Sequence, residues 1–211
     1  MEDKTKEILY EVNQYYSEKI SLYGTTPRGV DWNGEEGQVL RFQQLCKIID
    51  CPSSFSVNDL GCGYGALLEY LNIYYSTFTY SGFDVSENMI EKAKQRHSKI
   101  RNADFCVSSS PFEAADFSIA SGIFNVRFER NNEDWWDYLC STLDILNSKS
   151  LRGFSFNCLT IYSDIEKMKP YLYYADPCKL FDFCKRRYSK DVFLLHDYGL
   201  YEFTIGVKKE K

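Results

Sequence analysis

Strands and helices alternate along most of this sequence, and the alternation predicts a three-layer α/β sandwich. Its centre is a mostly parallel seven-stranded sheet that ends in a C-terminal antiparallel hairpin. Three observations carry the prediction. Short runs rich in aromatic and β-branched residues recur between stretches whose apolar residues repeat at helical spacing. A glycine cluster, Gly61-Cys62-Gly63-Tyr64-Gly65, directly follows the first of these strands. The last two strand-like runs, 192–196 and 201–207, are separated only by a short turn at Gly199, which favours an antiparallel pair.

Each element follows from its own residues. Ile8, Leu9, Val12, Tyr15, Tyr16 and Ile20 fall on one side of a first helix. A loop through Gly24, Pro27, Arg28, Trp32, Asn33 and Gly34 leads to a second helix, with Phe42, Leu45, Cys46 and Ile49 on one face and a stop before Pro52. Strands are expected at 55–60, 80–85, 105–108, 117–120 and 153–157. Helices are expected at 66–75, from the N-cap Ser86 to about Lys99, at 134–146 and at 177–187. Trp135-Trp136 is expected to join the 134–146 helix to the sheet, with Trp136, Leu139, Leu143 and Leu146 on its apolar side. His97 reads as a favourable cation at a helix C-terminus, Asp104 as a turn cap, and Lys185-Arg186-Arg187 as a solvated patch.

Composition narrows the function. The chain has 211 residues, 44% hydrophobic and 17% aromatic, which suits one folded domain rather than a disordered segment. Residues 1–50 are expected to form a helical leader or lid, and 51–211 the core, with a substrate-facing insertion near 158–176. A net charge of -5 argues against a protein that grips phosphate backbones, so nucleic acid is not expected as a partner. No apolar run is long enough to span a membrane, and the charged opening Met1-Glu2-Asp3-Lys4 has no apolar signal region, so a cytoplasmic location is expected. The eight cysteines, Cys46, Cys51, Cys62, Cys106, Cys140, Cys158, Cys178 and Cys184, include no C-x-x-C pair and read as core fillers rather than metal ligands or disulfides.

The glycine cluster is where a ligand is expected, because open α/β sheets bind at the carboxyl ends of their strands. Asp84 ends the next strand and is placed to accept hydrogen bonds from a ribose diol. Gly61, Gly63 and Ala66 also satisfy the permissive dinucleotide pattern, which keeps an NAD(P)-dependent oxidoreductase open as an alternative. Asp59 weighs against it. A carboxylate at the strand end repels a pyrophosphate and favours a ligand that carries an ammonium and a sulfonium.

These residues resemble the class I S-adenosylmethionine-dependent methyltransferases, with their Rossmann-like fold, over roughly Phe55 to the C-terminus. Asp59-Leu60-Gly61-Cys62-Gly63-Tyr64-Gly65 is similar to the family's first motif, and Phe83-Asp84-Val85-Ser86 with Met89-Ile90 to its second. Asp116 to Gly122 is similar to the fourth strand and the turn after it. The resemblance implies S-adenosylmethionine as cofactor, held by Asp59, Gly61, Cys62, Gly63, Asp84, Val85, Met89, Ser121 and Gly122. Ser109 stands where the family often has an acidic residue near adenine. Trp32 and Arg28 from the leader are expected to join the cofactor site, Arg28 through a carboxylate of cofactor or substrate.

Methyl transfer is an in-line displacement in which alignment supplies much of the acceleration, up to ~7–11 kcal/mol, and a base is needed only for an acceptor that must lose a proton. His196 and Tyr15 are the candidates for that base. Tyr16, Asn125, Tyr173 and Tyr174 are the candidates for holding the acceptor, with Tyr162, Tyr171 and Asp176 in the same aromatic insertion. The Asn/Asp-Pro-Pro-Tyr sequence of methyltransferases that act on nucleobase amines is missing after the fourth strand, where Ser121-Gly122-Ile123-Phe124-Asn125 stands. An O or N atom of a small metabolite is therefore the expected acceptor. A non-catalytic, cofactor-binding regulatory protein is a further alternative, and a homodimer is an allowed assembly.

Overall fold

Near-continuous burial along the central strands marks a sheet covered on both faces. The structure is a computed structural model that describes residues 2–32, 34–50 and 53–209; Met1, Asn33, Cys51 and Pro52 of the readings above lie outside them. Its helices are α1 (Glu2–Tyr23), α2 (Glu35–Leu45), α3 (Ala66–Tyr74), α4 (Glu87–Arg96), α5 (Asn132–Ser148) and α6 (Pro177–Arg187). Its strands are β1 (Phe55–Leu60), β2 (Phe78–Asp84), β3 (Ala103–Val107), β4 (Ala115–Ala120), β5 (Ser150–Thr160), β6 (Tyr174–Ala175), β7 (Val192–Leu195) and β8 (Glu202–Lys208).

The sheet runs β3-β2-β1-β4-β5-β8-β7, with β6 added beside the end of β5. Strands β1 to β5 are parallel, and β8 enters antiparallel between β5 and β7. The seven strands on the main path match the expected sheet, and the two-residue β6 is an eighth. Chain order reverses between β1 and β4, so the crevice at their carboxyl ends is the natural binding position of the fold.

Two apolar cores flank the sheet. One joins α5 and α6 to Phe154, Phe156, Phe203, Ile205 and Val207. The other joins α2, α3 and α4 to Phe55, Val57, Phe117 and Ile119. Within β5 the alternation is direct: Phe154 and Phe156 pack on the first core, while Ser155 Oγ donates to the Leu45 carbonyl on the opposite side.

Several local expectations need correction. Trp135, not Trp136, is the helix-to-sheet contact. It is fully buried, and its Nε1 donates to the Phe124 carbonyl at 3.0 Å, while Trp136 lies further out beneath Lys179 and Phe183. Helix α2 ends at Leu45 and tightens into a 3-10 turn, Cys46–Ile48, that turns Ile48 rather than Ile49 fully inward. His97 is no surface cation. It is buried against Phe105, and burial lowers its pKa, so its imidazole is neutral at neutral pH. Asp104 lies within β3 rather than capping a turn. The β7–β8 connection takes six residues, 196–201, rather than a tight turn.

Candidate active site

The cleft at the β1/β4 reversal is built chiefly from four strand ends. After β1 the chain turns sharply: the N–H groups of Gly61 and Cys62 both donate to the Phe83 carbonyl, at 2.7 and 3.0 Å. Gly61 has φ +76°, and a methyl group there would overlap Ile123 Cγ2, so only glycine fits the turn. After β2, Asp84 clamps the glycine loop. Its Oδ2 accepts the Gly63 N–H and its Oδ1 the Ser86 N–H, each at 2.9 Å. Ser108 and Ser109 follow β3, and Ser121, Gly122 and Ile123 follow β4.

Helices close the other sides. Tyr16 of α1 and Gln38 and Phe42 of α2 form one wall; Tyr138, Ser141, Thr142 and Ile145 of α5 form another. A hydroxyl pair, Ser17 Oγ to Ser86 Oγ at 2.8 Å, ties α1 to the N-cap of α4. The cleft encloses about 1120 Å³ of empty space, its open mouth included.

Charge in this cleft is one-sided. Among the described lining residues the carboxyl groups are Asp59 and Asp84, and there is no lysine, arginine or histidine. Asp59 is buried, accepts the Tyr80 hydroxyl at 2.6 Å, and has its pKa pushed up to about 7 by burial; Tyr80 opposes the shift and Asp84 adds to it. Burial also raises Asp84, held back by the N–H groups of Ser86, Gly63 and Val85. Two carboxyls forced toward neutrality in one cleft create a demand for a cationic ligand. One more group is unsatisfied: Ser121 Oγ is buried without a hydrogen-bond partner.

The structure gathers most of the expected cofactor residues. Asp59, Gly61, Cys62, Gly63, Asp84, Val85, Met89, Ser109, Ser121, Gly122 and Trp32 all line the cleft, as does Tyr16. Arg28 is exposed in a 3-10 turn and does not. Tyr15 turns away and donates to Asp31 Oδ2 at 2.7 Å, and burial beside that carboxylate raises its pKa. His196 is exposed beyond β7, beside the rings of Tyr162 and Phe203. It stands on the expected edge of the sheet but three strands from β4, roughly 14 Å away at normal strand spacing.

Tyr173, Tyr174 and Asp176 of the aromatic insertion serve the fold, while Tyr162 and Tyr171 are exposed. Tyr173 is buried against Trp135, the Tyr174 hydroxyl accepts the Lys169 N–H, and Asp176 caps α6. Asn125 is buried, with its carbonyl on the Tyr173 N–H, outside the cleft. What the sequence reading missed is the helical lining. Tyr138, Ser141, Thr142 and Ile145 repeat at i, i+3, i+4, i+7, a second stripe beside the purely apolar one on α5.

Comparison with known proteins agrees with this geometry. Residues 57–149 match the model of a family described as a methyltransferase domain. The Mycobacterium tuberculosis protein named "Putative methyltransferase Rv1506c" is 56% identical over 163 residues, 77% of this chain and 98% of that protein. Among solved structures, magnesium protoporphyrin IX methyltransferase (ChlM) from Synechocystis PCC 6803 with bound SAM is similar, with a TM-score of 0.60 and 13% identity over 83% of this chain and 81% of that one. The DhpI–SAH complex has a TM-score of 0.62 and 13% identity over 95% and 96%. At such identities these two structures speak to the fold alone.

Proposed function

Because this chain belongs to the S-adenosylmethionine-dependent methyltransferases, we propose that it methylates an O or N atom of a small-molecule metabolite inside the α1-covered cleft. The observation that carries the reading is the lining: two carboxyls, aromatic and small polar side chains, and no cationic group among the described residues. Such a wall suits the cationic methyl donor and offers a phosphate polymer nothing to bind.

The residues present fit the cofactor. Ser121 Oγ is buried without a partner beside the cleft, and the Asp84 carboxylate keeps lone pairs free beside its backbone N–H bonds. Asp59 sets the charge of the pocket, Asp84 takes the ribose hydroxyls, Val85, Met89 and Ser109 border the adenine, and Ser121, Gly122 and Trp32 border the methionine part. Once bound, the cofactor supplies an electrophilic methyl group on a positively charged sulfur.

The protein's share of the chemistry is alignment and exclusion of water. Tyr16 and Tyr138 face the cleft with pKa values raised by burial, Tyr138 to about 12, so they orient an acceptor by hydrogen bonds rather than remove its proton. Neither His196 nor Tyr15 reaches the lining, and an acceptor whose nucleophile already carries an available lone pair needs neither of them. The test is methyl transfer from radiolabelled S-adenosylmethionine into a cell extract, separated afterwards into small-molecule, protein and nucleic-acid fractions. Enzyme-dependent label in the small-molecule fraction is expected. Label confined to protein or nucleic acid would overturn the substrate class.

A further inference from the structure

A closed ring of contacts converges on the turn after β4 from two directions. From below, the Gly122 N–H donates to Asn157 Oδ1 at 2.7 Å, and Asn157 Nδ2 donates to Glu202 Oε2 at 2.7 Å. Glu202, the first residue of β8 and 1% exposed, takes Arg41 with both oxygens, at 2.6 to 2.9 Å. From above, the Arg41 guanidinium lies 3.9 Å over the Trp32 ring, and that indole covers Gly122 so closely that a methyl group there would overlap it. The ring thus runs Gly122–Asn157–Glu202–Arg41–Trp32 and back to Gly122.

Its chemistry is more demanding than packing needs. A nearly dehydrated carboxylate and guanidinium give little net stability over apolar residues of the same volume, but they fix direction. Here the direction is imposed on Asn157, whose oxygen must face Gly122 and whose nitrogen must face Glu202. The residue beside Gly122 is Ser121, which lines the cleft and whose buried hydroxyl lacks a partner.

We propose that Asn157, Glu202 and Arg41 are positioning residues for the methyl donor, holding the Ser121–Gly122 turn so that the Ser121 hydroxyl takes its missing hydrogen bond from the bound cofactor. This rests on the reading of the cleft as the donor site. The ring makes the orientation of one amide testable. Asn157→Asp sets a second carboxylate against Glu202, and Glu202→Gln in the same chain restores a donor facing an acceptor at no change in net charge.

The experiment is calorimetric titration of S-adenosylmethionine into the wild type, Asn157→Asp, Glu202→Gln and the double variant, with thermal unfolding of each. Asn157→Asp is expected to weaken binding by at least about tenfold, and the double variant to return within about threefold of wild type. Folded Asn157→Asp that binds like wild type, or a folded double variant as weak as Asn157→Asp, overturns the proposal. In a Ser121→Ala background Asn157→Asp is expected to add less than about twofold; a full further tenfold loss would overturn the route through Ser121. Should Asn157→Asp not fold, Arg41→Lys keeps the charge but loses the forked contact and the stacking, and unchanged affinity in that variant overturns the ring. Wild type that fails to bind S-adenosylmethionine would overturn the reading of the cleft as well.

Discussion

Replacing Asp59 by Asn should flatten the pH dependence of cofactor binding. Burial pushes the pKa of the Asp59 carboxyl up to about 7. A cationic ligand favours the ionised form, so binding lowers this pKa and affinity rises with pH through the neutral range. About nine-tenths of the group is ionised at pH 8 and about one-tenth at pH 6, which makes S-adenosylmethionine binding roughly tenfold weaker at pH 6, or ~1.4 kcal/mol. The assay is titration calorimetry at both pH values on wild type and Asp59→Asn. The ligand's own ammonium titrates identically with both proteins and cancels in the comparison. At pH 7, binding to wild type should release about half a proton, measured from the heats in two buffers of different ionisation enthalpy. Parallel pH profiles for the two proteins would refute the argument. Stability runs the other way. A carboxyl whose folded pKa lies above its unfolded value stabilises fully below 3.8, and that contribution is lost as pH rises through about 7. The cofactor-free Asp59→Asn protein should therefore melt higher than wild type at pH 8.

Four further outcomes are expected. Asp84→Ala should cost about 1.5–3 kcal/mol of cofactor affinity, because the carboxylate serves the ligand and clamps Gly63 and Ser86 together; an unchanged Kd would remove it from the site. Gly61→Ala should abolish measurable binding, since its Cβ meets Ile123. Gly199→Ala, with φ +72° but open space around it, should cost only about 1–2 kcal/mol of stability and leave affinity intact. His97 is buried with Nε2 unpartnered and its pKa depressed, so its stabilising contribution is present above pH 6.5 and lost as pH falls below it; His97→Leu should flatten that acid limb in thermal unfolding.

The parts of the cleft legible from sequence are those made by consecutive residues. Gly61 to Gly65, Asp84-Val85 and Ser121-Gly122 sit at strand ends, where the local turn places them in the crevice whatever the rest of the chain does. The helical lining was hidden because helix phase is ambiguous. Around Trp135 and Trp136 either residue continues an apolar stripe through Leu139 and Leu143, and the choice falls to a distant acceptor, the Phe124 carbonyl. His196 shows a different limit. Its strand direction and sheet edge were readable, but the insertion of β8 between β5 and β7 carries it away from β4. Chemistry alone suggested Tyr15; Asp31, with φ 62°, is what draws its hydroxyl out of the cleft.

The place of β8 in the sheet has a consequence for how the protein is made. Every strand that carries a cleft turn is synthesised before it, yet β8 pairs with β5 along Gly153–Leu159 and brings Glu202 to Asn157 and Arg41. A ribosome-bound chain that has exposed all of β1 to β5 still has an open sheet edge at β5 and no partner for Arg41. On the proposed role of the ring, cofactor capture waits until β8 has left the ribosome, and nascent chains stalled before β8 emerges should be both cofactor-free and prone to pair their exposed β5 with another chain.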